Sequence, residues 1–199
     1  MREAFIGVLI AHLSHLASTL LLYALAVQIA PGEQTTRKSI AKLTACLHIL
    51  SPAGLFLSTP YAESLFACLN FSGFLFCARS WQTPESFRDS VVSSIYIVVS
   101  GACFGLASTA RGNGALSALV YVEPGLILLG RLARRPLDFT ALLQAAATGA
   151  AGLLTIAGVV FPQYIAYRQY CTNDPGHYPQ PWCSKVLPSV YTYVQEHYW

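Results

Sequence analysis

The chain has 199 residues, of which 54% are hydrophobic and only 11% charged, with a formal net charge of +3. Soluble globular domains carry charge at roughly a quarter of their positions, so a wholly water-facing surface is excluded and most of this surface faces lipid. The small net charge also excludes a basic face that tracks a phosphate backbone, and with it nucleic acid as a partner.

A helix needs about 20 apolar residues to cross a bilayer core of ~30 Å, and six segments approach or exceed that length. The first, residues 5–30, has no charged residue and ends at Pro31-Gly32. The second, about 43–57, is interrupted by Ser51-Pro52. The third, 62–78, carries Glu63 at its start, and the fourth, 91–110, has no charge. The fifth, about 114–130, contains Glu123-Pro124, and the sixth covers 139 to about 164. The second and fifth are the shortest. The fold class these segments predict is all-α, a polytopic bundle of about six spans.

Orientation follows from the basic residues. If the first span exits toward the cytoplasm, the cytoplasmic loops are residues 31–42, 79–90 and 131–138. They hold Arg37, Lys38, Lys42, Arg79, Arg88, Arg131, Arg134 and Arg135, eight of the twelve basic residues. Six spans then place the amino terminus and the polar tail on the opposite side. The expected organisation is a helical bundle over 1–165 and a proline- and aromatic-rich lumenal tail over 166–199. A signal peptide is the alternative for the first span, because Ala24-Leu25-Ala26 resembles a small-residue cleavage site. Its apolar stretch exceeds the usual length of such a region, and cleavage would strand Arg37 and Lys38 on the wrong side.

Cys46, Cys68, Cys77 and Cys103 lie in apolar runs, where cysteine acts as a small hydrophobe. Cys171 and Cys183 lie in the polar tail and can form a disulfide if that tail faces an oxidising compartment. The chain has no Cys-x-x-Cys spacing to suggest zinc or redox chemistry.

Two turns on the same side as the tail concentrate polar groups. One runs from Ser51-Pro52-Ala53 to Ser58-Thr59-Pro60-Tyr61-Ala62-Glu63-Ser64, and the other is Arg111-Gly112-Asn113-Gly114. Arginine offers a planar fork of donors for phosphate or carboxylate, and its flanking glycines allow close backbone approach. The plainer reading is that the prolines and glycines only turn the chain, that Arg111 anchors at the interface, and that Glu63 complements a helix dipole. Glu123 is either a functional intramembrane carboxylate or marks a shorter span. His12-x-x-His15 could bind a metal only with His48 as third ligand, and packing inside the bundle is the simpler role. Asn70-Phe71-Ser72 matches the glycosylation triplet but falls inside the third span, so it is expected unmodified. The chain contains no Gly-x-Ser-x-Gly, phosphate loop or paired-carboxylate motif, and no catalytic acid can be assigned.

The stretch Leu50-Ser51-Pro52-Ala53 through Phe56, with Tyr61-Ala62-Glu63-Ser64-Leu65-Phe66-Ala67, resembles the GPI mannosyltransferase 2 family. Arg111-Gly112-Asn113-Gly114 is similar to that family's Arg-Ser-Asn-Gly turn, with glycine in place of serine. Phe161-Pro162-Gln163-Tyr164 and the Tyr167 to Cys171 stretch also fit. Pro181-Trp182-Cys183, with Pro188, Tyr191, Tyr193, Gln195 and Tyr198-Trp199, resembles its lumenal carboxy-terminal signature.

The resemblance implies α-1,6 transfer of the second mannose from dolichol-phosphate-mannose to the glycosylphosphatidylinositol (GPI) precursor in the endoplasmic reticulum lumen. The implied fold is a GT-C-type helical bundle with lumenal catalytic loops. Tyr61 and Glu63 would line the acceptor side, and Arg111 and Asn113 would bind the phosphate or sugar of the donor. The implied partners are these two lipids, the membrane and a small membrane subunit. No metal or other cofactor is implied, because dolichyl phosphate is a good leaving group. The family's early Trp-Asp motif has no counterpart here, so the chain is expected to be an internal portion of such an enzyme. The alternatives are a non-catalytic membrane subunit or scaffold of the same pathway and, more remotely, a small transporter built on Glu123.

Overall fold

The computed structural model describes residues 2–51, 59, 61–81, 86–172, 181–184, 189, 193, 194 and 197. Its α-helices are α1 (Arg2–Ile29), α2 (Gln34–Ile49), α3 (Ala62–Ser80), α4 (Phe87–Ala110), α5 (Val122–Arg134) and α6 (Phe139–Cys171). A 3-10 helix, Gly112–Tyr121, runs directly into α5, and a short 3-10 turn covers Pro181–Ser184. No strand occurs among the described residues. Within that set, four stretches are long and apolar enough to cross a membrane: α1, α4, the continuous Gly112–Arg134 unit and α6. The protein is an all-α, membrane-embedded bundle.

The packing inverts the usual pattern, in which large apolar side chains lie inside. Leu9, Leu13, Leu16 and Leu20 of α1 point outward, while its buried strip is Ala11, Ser14, Ser18, Thr19, Leu25 and Ala26. Lipid solvates leucine as well as another helix does, so close backbone approach of small residues drives the association instead. The tightest case is the seam between α4 and α6. Gly101 faces Ala151, and Gly105 faces Leu154 and Gly158, so closely that a Cβ on Gly101 or Gly105 would meet backbone atoms at 2.4 Å and 2.6 Å respectively. This register makes the two helices parallel. The hydroxyls along the seam are satisfied within their own helices, as Ser108 to the Phe104 carbonyl at 2.7 Å and Thr155 to the Ala151 carbonyl at 3.0 Å.

A small aromatic core sits beside the seam. Phe104 is fully buried, meets Phe74 and Tyr121 edge to face, and presses on Gly73. Ser100 Oγ donates to the Gly73 carbonyl at 2.8 Å and lies 2.7 Å from the Tyr121 hydroxyl. Tyr121 therefore fixes the point where the 3-10 helix becomes α5. Pro124 sits in the first turn of α5, where its fixed φ suits helical backbone. Glu123 beside it is exposed on the bundle's flank.

The second span departs most from expectation. Its helix begins at Gln34 and ends at Ile49, and residues 52–58 lie outside the described set. Arg37, Lys38 and Lys42 are helical, and Arg37 Nε donates to the Ala30 carbonyl at 2.7 Å, closing the end of α1. Gly32 between the helices takes φ +96°, which turns the chain back. At the far end, α6 continues to Cys171, past the expected boundary at 165.

Asn70 is inside the bundle, where its Oδ1 accepts from Ser117 Oγ at 2.8 Å. Treatment of the native protein with an amide-cleaving glycosidase should leave its mass at this peptide unchanged. A glycan recovered at Asn70 would contradict the packing.

Asp138 caps α6. Its carboxylate accepts from the Ala141 N–H at 3.0 Å and from the Thr140 hydroxyl at 2.6 Å, and it pairs with Arg131 at 2.8 Å. The Thr140 bond first, then the Ala141 N–H and Arg131, hold its pKa down to about 2 from the ordinary 3.8. A carboxylate lowered on folding adds stability above its unfolded pKa and loses it as pH falls through the folded value. The difference in thermal midpoint between wild type and Asp138→Asn should be constant above about pH 5 and shrink toward pH 2. A gap independent of pH would refute this role.

Candidate functional site

Glu63 and Arg111 come together at one end of the bundle although 48 residues separate them. Glu63 lies in the first turn of α3, where the exposed N–H groups favour an anion. Arg111 has extended backbone (φ −147°, ψ 129°) between the end of α4 and the 3-10 helix. Three contacts hold it. Its N–H donates to the Ala107 carbonyl at 3.0 Å, its own carbonyl accepts from the Gly114 N–H at 2.9 Å, and its Nη1 donates to Glu63 Oε1 at 3.1 Å. The guanidinium also stands over the Phe66 ring, 5.8 Å from its centroid.

Gly114 explains the turn's composition. It is buried, and a Cβ there would lie 2.8 Å from the Ser108 Cα, so the chain folds back onto α4 only with glycine at this position. That fold-back aims the Arg111 side chain across to α3. Ser117 then ties the 3-10 helix to Asn70 of α3, a second link between this segment and the helix carrying Glu63.

The other two candidates lie in the same two turns as the pair. Tyr61 is the residue before α3, exposed, with its N–H donating to the Thr59 carbonyl at 2.7 Å. Asn113 is exposed in the first turn of the 3-10 helix. Of the first turn's remaining residues, Pro52 through Ser58 and Pro60 lie outside the described set, as do Pro188, Tyr191, Gln195 and Tyr198-Trp199 of the tail. Sequence reasoning gives Phe66 no role at the site, yet it lies one helical turn from Glu63, a spacing that puts both on one face.

The guanidinium has five N–H donors. One is engaged with Glu63, and the side chain is 42% exposed, so most of the fork is open to solution. An exposed pair of this kind contributes only about 0–1 kcal/mol to stability. Its arrangement therefore suits exchange: an incoming phosphate or carboxylate can take the guanidinium while Glu63 keeps its orientation.

The same end carries a covalent tie. Cys171 and Cys183 are disulfide-bonded, with Cα atoms 5.4 Å apart, and Trp182 between them in the short 3-10 turn is buried. Elsewhere, His15 and His48 meet at 5.1 Å between ring centroids, with Ser18 Oγ 3.0 Å from His48 Nε2, while His12 is exposed. No group of three metal-ligating side chains occurs among the described residues.

Residues 3–199 match the family described as mannosyltransferase (PIG-V). The chain is 38% identical over 210 residues to a GPI mannosyltransferase 2 of Chaetomium globosum, covering 99% of this chain and 44% of that protein. It is 34% identical to the same enzyme of Aspergillus oryzae, covering 97% and 44%. A GPI alpha-1,6-mannosyltransferase 2 of Rattus norvegicus is 30% identical, over 78% of this chain and 33% of the relative. The chain thus spans less than half the length of these curated relatives. No solved structure matches it. The match over nearly every residue settles the kinship: the chain belongs to the PIG-V mannosyltransferase family.

Proposed function

We propose that this chain forms part of an α-1,6-mannosyltransferase that adds the second mannose to the GPI precursor in the endoplasmic reticulum membrane. The observation that carries the reading is the family match over residues 3–199. The Glu63–Arg111 end supports it chemically, because an open guanidinium at a bundle end meets a lipid-linked phosphate where the headgroups lie. In this reading Arg111 and Asn113 face the phosphate and sugar of dolichol-phosphate-mannose, and Tyr61 and Glu63 face the acceptor glycan. Arg111 stabilises the dolichyl phosphate as it leaves the anomeric carbon, so the transfer uses no metal. The disulfide between Cys171 and Cys183 agrees with a lumenal end, and Arg131, Arg134 and Arg135 at the opposite end agree with a cytoplasmic one.

The test uses membranes containing the full-length protein, dolichol-phosphate-mannose with labelled mannose, and a GPI precursor bearing one mannose. The expected product is one hexose larger, with its new linkage cleaved by an α-1,6-specific mannosidase. Transfer from GDP-mannose without the lipid donor, or an unchanged acceptor, would overturn the reading.

A further inference from the structure

The opposite end of the bundle holds a second amphiphilic feature, which the transfer reaction does not use. Arg131 and Arg134 lie one turn apart on α5, Arg135 follows as its non-helical cap, and the three line one depression with Ile127. The Arg131 face continues inward as Ile127 and Pro124, and these line a cleft of about 250 Å³ between α3, α4, α5 and α6. Ile97 closes its inner wall, and the hydroxyls of Ser93 and Thr148 turn away to carbonyls of Ser80 and Gln144 at 2.7 Å each. The cleft is therefore mainly apolar, and Ile127 and Arg131 at its edge also line an adjoining depression with Arg134 and Arg135.

The charge is not internally balanced. Asp138 neutralises Arg131 at 2.8 Å, while Arg134 Nε donates to the Gly130 carbonyl of its own helix at 3.2 Å. Among the described residues, neither Arg134 nor Arg135 has a carboxylate partner. A stripe that passes from unpaired guanidinium to aliphatic cleft within three helical turns matches an anionic headgroup with an attached acyl chain. Gln144 adds a selective element. It lines the cleft about 8 Å inside the start of α6, by the 1.5 Å rise per residue, and its carboxamide can donate to a glycerol-ester carbonyl. A polyprenyl phosphate has no such carbonyl.

We propose that this cleft binds one anionic glycerophospholipid, with its phosphate on Arg134 and Arg135 and one acyl chain against Pro124, Ile127 and Ile97. The site lies at the end away from Glu63 and Arg111, and it stands whether or not the proposed transfer reaction is correct.

The test is photolabelling of the full-length protein in phosphatidylcholine vesicles carrying a trace of phosphatidylserine with a diazirine in its acyl chain. Label should map to peptides containing residues 124–128 and 144–148, and excess unlabelled phosphatidylserine should compete it away. Arg134→Gln with Arg135→Gln should lower it about tenfold, since each basic side chain contributes appreciably to binding anionic lipid. Arg134→Lys with Arg135→Lys should retain most of it. Ile127→Trp fills the cleft without altering the charges that set topology, and it should also lose the label in protein that remains monodisperse. Equal labelling by a diazirine phosphatidylcholine would overturn the site. So would competition by polyprenyl phosphate alone, or photocrosslinks from the cleft to polypeptide in place of lipid.

Discussion

Replacing Gly158 by leucine is expected to abolish accumulation of folded protein, whereas the same substitution at Gly152 on the same helix leaves it unchanged. A Cβ at Gly158 would lie 2.0 Å from the Gly105 carbonyl oxygen, while one at Gly152 meets nothing within 4 Å. The Cβ is fixed by its own backbone and the atom it meets is backbone, so no side-chain rotation relieves the clash, and α4 and α6 must separate. Separation also uncovers Phe104 and Tyr121, the aromatic pair packed beside this seam. Overpacking that side chains can absorb costs about 1–3 kcal/mol, and a displaced helix pair exceeds that range. Against a total stability of roughly 5–15 kcal/mol, such a loss depletes the folded state severely. The measurement is the monodisperse fraction by size exclusion and the thermal midpoint in detergent. Gly158→Ala is informative as well, since the first carbon already clashes. Equal midpoints for the Gly158 and Gly152 variants would show that the α4–α6 contact does not hold the fold.

Sequence alone reveals the lipid-facing half of this architecture better than the protein-facing half. The apolar runs at 5–30, 91–110 and 139–164 correspond to α1, α4 and α6, because a bilayer selects length and hydrophobicity directly. The start of α2 at Gln34 is a different matter. Arg37, Lys38 and Lys42 read as loop to a hydropathy count, yet they are ordinary helix formers and hide the first turns of this helix. The winding of Gly112–Tyr121 as a 3-10 helix is hidden too, since hydropathy carries no information about residues per turn. The interior is legible in principle from Gly101-x-x-x-Gly105 and the Ala147, Ala151, Thr155 series, a spacing that permits close helix approach. At the candidate site, the two polar turns can be named from the sequence. Their pairing through Glu63 and Arg111 cannot, because it depends on Gly114 folding the second turn back against Ser108.

Arg111→Ala should separate activity from stability. Only an exposed pair and a ring contact are lost, so stability should fall by no more than about 1 kcal/mol, read as a small drop in thermal midpoint. Under the proposed role, loss of this donor to developing negative charge costs about 10²–10³-fold in rate, and the full-length variant should fail to restore GPI synthesis in cells lacking the proposed activity. Arg111→Lys keeps the charge but loses the planar fork, so intermediate activity is expected. The decisive variant exchanges the two residues, Glu63→Arg with Arg111→Glu. It preserves an ion pair between the same two elements and removes the guanidinium from the 3-10 turn. If the pair serves only to tie α3 to that turn, the exchange restores activity lost in either single variant. If Arg111 engages the phosphate of the lipid donor, the exchanged protein stays folded and inactive, and this second outcome is the one the proposed role predicts.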